Sequence, residues 1–341
     1  MRFTTTLLAA TTLVLLNANS AQAYGVLGHT LTGQIAQLFL TPKTASQISA
    51  ILPDSYEGLL SNAAPWPDKI RFLDQYKWAT PMHFVNPPND KPPEVCQFDY
   101  IYGGQDNVNA IFNTTATMKQ FQLTPPANVK DEKTREEALK FFVHFMGDIH
   151  QPLHDSTPFR GGNDAPIKFG KTKSNLHSLW DTLLLTKDVK ERFGDNPQAY
   201  LDDTIKLTKT LWKSEVANWT SCDPADSQPA NPWSSVTKQI KTVCPIQWAT
   251  VTNALDCTYV WKDYSPTRDY STDYFQKVTG SSSDFLYQKL LAQSGIRMAA
   301  VLNDIFDPES SSSSEGGVVV QKRRSELPPR YKRVAEKTLA H

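Results

Sequence analysis

The sequence predicts a single all-α domain, and three observations carry that prediction. Apolar residues recur at helical spacing in several stretches, no alternating β pattern of any length occurs, and Phe141–Asp155 (FFVHFMGDIHQPLHD) is too apolar to face water as a helix. With 341 residues, of which 40% are hydrophobic and 11% aromatic, the chain has enough apolar material for a sizeable core.

The opening residues, 1–23, carry one charge, an apolar run over Leu7–Leu16 and small residues at Ala21 and Ala23. That is the pattern of a secretory signal, with cleavage expected after Ala23 so that Tyr24 becomes the first residue. No later apolar run approaches the roughly 20 residues that cross a membrane. A helix is expected over Leu31–Leu40, ended by Thr41-Pro42, with Thr44 opening the next. Pro-rich residues 86–93 and 224–232 read as loops. Residues 131–150 form one long helix, charged early and apolar late; Pro152 ends it near His150 or Gln151. The Gly161–Gly162 pair before Ala165–Phe169 suggests one short hairpin. Asn196–Glu215 is amphipathic, with Asn196 placed to cap it and Pro197 at its first turn. Ser282–Phe306 is a further helix with Gly295 inside it. From Pro308 onward a serine run and basic clusters at Lys322–Arg324 and Lys332–Arg333 replace any periodicity. Residues 308–341 are therefore expected to be a disordered tail, open to trimming, and 24–307 the folded domain.

Charge and cysteines narrow the function. The formal net charge is +0, but residues 24–307 hold 27 Lys and Arg against 31 Asp and Glu, a net of −4. Nucleic-acid binders usually carry a basic footprint. This body does not, so any anion it binds must be held by something other than side-chain cations. Four cysteines (Cys96, Cys222, Cys244, Cys257) in a secreted chain point to two disulfides, for which spacing leaves three connectivities open. Asn113 and Asn218 stand in glycosylation sequons.

The chemistry-bearing residues are histidines and aspartates. His144 and Asp148 are four apart, so a helix projects them from one face, and His154 follows just beyond the helix exit. A buried His–Asp pair can satisfy itself, so one pair decides little. The pattern recurs, however. His177 and Asp181 repeat the spacing on a second helix, while His29 in YGVLGH and His83 in MHFVN, with Asp68 upstream in APWPDKIR, sit in similar apolar company. Five histidines and three acids of this kind point to a nitrogen and carboxylate metal site, and that donor set suits zinc. His150 reads as a neighbour of the site rather than a member.

On these residues the chain resembles the S1/P1 nuclease family of single-strand-specific zinc nucleases. The matching segments are YGVLGH, Trp66-x-Asp68-x-x-Arg71, MHF, VHFMGDIHQPLHD, Gly161-Gly162-Asn163, NLHSLWD and NALDC ending at Cys257, across about residues 24–306. The resemblance implies a mostly helical fold around three zinc ions. One takes Asp68, His83 and His144; a second takes His29 with the amino nitrogen and carbonyl oxygen of Tyr24; Asp148 bridges these two; the third takes His154, His177 and Asp181. It also implies a Cys96–Cys257 disulfide, which leaves Cys222 for Cys244.

The activity implied is hydrolysis of single-stranded DNA and RNA to 5′-phosphate products, with 3′-nucleotides as further substrates and a monomeric enzyme. A hydroxide on the bridged pair attacks phosphorus and the third zinc stabilises the departing 3′-oxygen. Asp68, Asp148 and Arg71 are expected to carry catalysis, with Arg71 against the phosphate and Phe84 stacked on a base. Asn86 and Arg160 are also expected at the substrate, although Asn86 stands where some relatives carry Asp and Arg160 where a small apolar residue can occur. Tyr24 replaces a frequent Trp, which the backbone ligands tolerate. Thr172 and Lys173 stand near a position where some members place a second aromatic platform. Zinc-dependent phospholipase C, which shares the metal plan, and a non-catalytic secreted zinc-binding protein are the alternatives.

Overall fold

The computed structural model describes residues 24–223 and 240–309. The expected signal segment, the 224–232 loop and the tail beyond residue 309 lie outside the described residues.

Helix α1 runs over Val26–Phe39, five residues earlier at its start than the apolar spacing suggests, which places His29 inside its first turns. Thr41 caps the next helix rather than merely ending the first: its side chain accepts from the Thr44 amide, and α2 (Pro42–Ile51) begins with Pro42. Proline suits that first position because its missing N–H has no helical partner there. Helix α3 covers Asn107–Leu123, capped by Asp106, and α4 covers Val129–Asp148. Asn128 accepts from the Asp131 amide, and Asp131 and Glu132 sit in the first turn of α4, where the helix dipole favours acids. Every residue of α4 from Ala138 to Asp148 is buried. The helix stops at Asp148, and Gln151 is already extended ahead of Pro152.

The hairpin pairs β1 (Pro166–Phe169) with β2 (Thr172–Asn175), Phe169 opposite Thr172, around a two-residue turn that starts at Gly170 with φ +60°. Helix α5 spans Leu184–Phe193 and α6 spans Pro197–Lys209. Asn196 caps α6 by accepting from the Gln198 and Ala199 amides; the helix ends at Lys209, short of Glu215, because Thr210 leaves helical geometry. Helix α7 covers Pro245–Leu255. The last helix, α8, starts at Leu286 rather than near Ser282, since Asp284 and Phe285 adopt left-handed backbone before it, and ends at Phe306. Among the described residues no helix is long and apolar enough to cross a membrane.

The core forms where α1, α4 and α8 meet, around Leu31, Ile35, Phe142, Met146, Leu291 and Leu302, all essentially without exposed surface. Close approach there depends on glycines. A Cβ on Gly33 of α1 would lie 2.8 Å from Ser61 Cα and N, and one on Gly295 of α8 would lie 2.5 Å from Ile35 Cγ2. Covalent ties join the periphery to this core. Cys96 is bonded to Cys257 across 161 residues of chain, and Cys222 to Cys244. Asn253 of α7 donates to Asp90 Oδ1 at 3.0 Å and to the Asp155 carbonyl at 2.9 Å, locking the segment after His83 against the loop after His154.

Because backbone atoms, not a flexible side chain, face Gly33, Gly33→Ala should destabilise the domain by about 1–2 kcal/mol after allowing for alanine's better helix propensity. The check is thermal unfolding; a variant melting at or above the wild-type temperature would refute this packing account.

Candidate metal centre

The residues singled out from separate parts of the sequence converge beside the buried end of α4. His29 arrives on α1, Asp68 on the short helix Trp66–Ile70, His83 at the end of the turn Asp74–His83, and His144 and Asp148 on α4 itself. All five are at most 3% exposed. The Asp148 carboxylate touches three imidazoles: Oδ1 lies 3.2 Å from His29 Nε2, while Oδ2 lies 3.0 Å from His83 Nδ1 and 3.3 Å from His144 Nε2. Asp68 Oδ1 faces the same group, 3.9 Å from His83 Nδ1 and 3.8 Å from His144 Nε2. The rings of His29 and His144 stack at 3.8 Å.

A second cluster adjoins the first. His154 Nε2 and His177 Nε2 lie 3.8 Å and 3.2 Å from the two oxygens of Asp181. His177 and Asp181 do keep the four-residue spacing, but the chain widens to a π-turn over Leu179–Leu183 between them, a local irregularity common at functional sites. Donor atoms in three triads, His29/Asp68/His144, His83/His144/Asp148 and His154/His177/Asp181, lie within 4.8 Å of one another, so each triad could hold a metal ion.

Backbone carbonyls aim these rings. His144 Nδ1 is 2.7 Å from the Ala64 carbonyl, His154 Nδ1 is 2.6 Å from that of His83, and His177 Nδ1 is 2.6 Å from that of Gly161. Donation from Nδ1–H leaves each Nε2 lone pair turned to its cluster, the arrangement by which outer contacts orient metal-binding imidazoles. Gln151, which the sequence did not mark, does the same for a carboxylate: its side chain donates to Asp181 Oδ1 at 2.6 Å while accepting from the Leu153 amide. Gly147 is a second unmarked residue, for a Cβ there would sit 2.7 Å from His29 Nδ1.

Two lines test whether a cation fits. His29 Nδ1, Asp68 Oδ1, His83 Nε2 and His154 Nε2 are buried without a hydrogen-bond partner, and the 3.2 Å contacts of His29 Nε2 with Asp148 Oδ1 and of His177 Nε2 with Asp181 Oδ2 fall short of hydrogen-bond geometry. Each such atom costs about 1–3 kcal/mol if it stays unsatisfied, so their gathering at one place marks a site built for another ligand. The electrostatics agree. Burial raises the Asp148 carboxyl, but His144, His29 and His83 outweigh that and hold it well below the ordinary carboxylate range. Burial, reinforced by His29 and His83, pushes His144 well below the usual histidine value, leaving a neutral ring suited to coordination. The donor set fits a divalent ion that accepts nitrogen and oxygen. His150 lies outside it, as expected: its Nδ1 faces the Met146 carbonyl and its Nε2 accepts from Arg297 Nη1, spending both nitrogens.

The remaining expected site residues lie around this centre. Tyr24 is wholly buried, edge-on to His29, with its hydroxyl donating to the His150 carbonyl, and the following amide, of Gly25, donates to the Asp181 carbonyl. Arg71 Nη1 is 3.5 Å from Asp68 Oδ1. Phe84, next to the cluster residue His83, is 38% exposed. Asn86 is exposed on the strip after it, whose Val85 amide donates to the His154 carbonyl. Arg160 is exposed and pairs with Asp164 rather than with either cluster. It sits with Phe159 on a turn where both adopt left-handed backbone, φ +54° and +50°, a conformation costing about 1–2 kcal/mol per side-chain-bearing residue. Asn218 is exposed and Asn113 half-buried on α3.

Comparison with known proteins gives a consistent answer. A family model described as S1/P1 Nuclease matches residues 24–307. The chain is 30% identical to Nuclease P1 of Penicillium citrinum over 296 residues, covering 84% of this chain and 99% of that protein. It is 30% identical to Nuclease S1 of Aspergillus oryzae over 310 residues (89% and 98%), and 29% identical to Endonuclease 1 of Arabidopsis thaliana over 308 residues (87% and 92%).

Gly147→Ala tests the geometry of the centre without touching a donor. The His29 ring, already stacked on His144, cannot retreat, so whatever affinity the clusters have for a divalent ion, assayed with zinc, should fall about 10- to 100-fold while helicity is kept. Zinc content at buffered free zinc, set beside circular dichroism, provides the readout; undiminished zinc binding would show that the ring is not confined as described.

Proposed function

As the chain belongs to the S1/P1 nuclease family, we propose that it is a secreted zinc-dependent endonuclease of single-stranded DNA and RNA that leaves 5′-phosphate ends and also dephosphorylates 3′-nucleotides. The observation that carries this reading is the pair of adjoining, fully buried His/Asp clusters whose orphaned donor atoms need cations. Three zinc ions account for them, divided as the family pattern has it. Asp68, His83 and His144 hold one, and His29 with the amino nitrogen and carbonyl oxygen of Tyr24 holds another. Asp148 would ligate both, and His154, His177 and Asp181 would hold the third. Its two oxygens facing different imidazoles support the bridging role of Asp148. Burial of Tyr24 beside His29 supports a terminal amine at that point once residues 1–23 are removed.

Zinc held in these pockets supplies Lewis acidity toward a phosphodiester oxygen and lowers the pKa of a water. The protein's own groups then do the positioning. Arg71, beside Asp68, orients a non-bridging phosphate oxygen through its guanidinium fork. Asp68 and Asp148 fix the direction from which the attacking water approaches. Phe84 offers an exposed ring to a base, and Asn86 and Arg160 border that base. Stacking of this kind favours an unpaired strand, whose bases are free to splay. Concentrated positive charge in the clusters also explains how a body with net charge −4 accepts a polyanion.

The reading is tested by metal analysis of the purified protein together with the ends it produces from a single-stranded oligonucleotide: three zinc per chain and 5′-phosphates are expected. Asp148→Asn should lose zinc and hydrolysis together, by at least about 100-fold in rate if the carboxylate supports two ions. A fully active, zinc-replete Asp148→Asn enzyme would remove the bridging assignment.

A further inference from the structure

Phe159 is among the most exposed aromatic residues of the described chain, at 55%, and it is not there by slack packing. Its ring lies 5.7 Å from that of Trp261 at an interplanar angle of 24°, a stacked arrangement, with Tyr264 tilted against it at 6.2 Å. Trp261 is itself buried and anchored, its Nε1 donating to Ser156 Oγ at 3.2 Å. Tyr264 meets Trp261 edge-on at 5.3 Å, and its hydroxyl donates to the Pro166 carbonyl. An aromatic backing therefore supports one side of Phe159 and leaves the remainder in water.

The turn that presents this ring is held open by its own backbone. The Gly162 amide donates to the Pro158 carbonyl and the Asp164 amide to that of Phe159, while Phe159 and Arg160 stay in left-handed geometry. The same turn belongs to the metal centre, because the Gly161 carbonyl faces His177 Nδ1. On its other side the Thr157 hydroxyl donates to the Pro87 carbonyl, in the strip that carries Phe84. Two exposed phenylalanines, Phe84 and Phe159, thus border the His154/His177/Asp181 cluster on different chain segments. Arg160, 78% exposed by its side chain, makes a surface ion pair with Asp164.

We propose that Phe159, backed by Trp261, is a second base-stacking platform, which takes an unpaired base of the strand flanking the nucleotide at Phe84. Any base has a π-face for such a ring, so the platform adds affinity for longer single strands without selecting sequence. The proposal rests on the nuclease reading for its ligand, and is tested by binding as well as by turnover. Fluorescence anisotropy is measured with a short oligothymidylate carrying phosphorothioate linkages, and with an abasic strand of the same length. Phe159→Ala should weaken binding of the base-bearing strand by about 5- to 100-fold and abolish the wild-type preference over the abasic strand. Phe159→Trp should retain the preference and Phe159→Leu should lose it, with zinc content unchanged in all three. For unmodified oligonucleotide, KM should rise while kcat stays within about twofold. Equal affinity of wild type and Phe159→Ala for the base-bearing strand would overturn the platform and leave the nuclease reading standing. A wild-type protein that neither binds nor cuts single-stranded DNA would overturn both.

Discussion

One buried carboxylate constrains the rest of the molecule. Asp148 sits without exposed surface at the end of α4, against three imidazoles that come from α1, from the turn before Phe84 and from α4 itself. A charge in that position is tolerable only with strong partners around it. The chain meets that requirement by making the last three turns of α4 wholly buried, so that the helix carrying the carboxylate cannot shift. Gly147 follows from the same demand: the ring of His29 occupies the place where a side chain would stand.

The division of labour around this point is physical. The clustered histidines and aspartates are buried, and three of the rings are tied down through Nδ1 contacts with the carbonyls of Ala64, His83 and Gly161. Rotation of those rings is restricted before any ligand arrives, which lowers the ordering cost of binding. Residues assigned to the strand, Phe84, Asn86 and Arg160, remain exposed on segments that the clusters themselves anchor. A buried cluster residue and an exposed one are thereby separated by as little as one position along the chain, as at His83 and Phe84. His150 illustrates the opposite case, since Arg297 fills its second nitrogen and keeps it a structural contact between the turn after α4 and α8.

Much of this was legible in the sequence. Helical spacing located the main helices, and Asn196-Pro197 announced the start of α6. Boundaries drifted where a local cue was absent: α1 begins on Gly25 with no side-chain cap, and α8 follows two left-handed residues, Asp284 and Phe285, that composition does not reveal. Gln151 and Gly147 passed unnoticed because their roles are relations to Asp181 and His29, which are distant in sequence. Phe159 was missed for a related reason, since its partner Trp261 is about a hundred residues away and its positive φ has no signature in a non-glycine residue.

What the amino-acid order determined unaided was local: which helices form, that His144 and Asp148 share a face, and that histidines and aspartates recur in apolar company. Those follow from the 3.6-residue period and from the cost of burying polar groups, both readable over a few turns. Only the packed chain decided which donors meet. His29 reaches Asp148 because glycines let α1 approach its neighbours, while backbone carbonyls from distant segments set the rings of His144, His154 and His177. Such contacts depend on ångström-scale distances between segments far apart in sequence, and no local pattern encodes those.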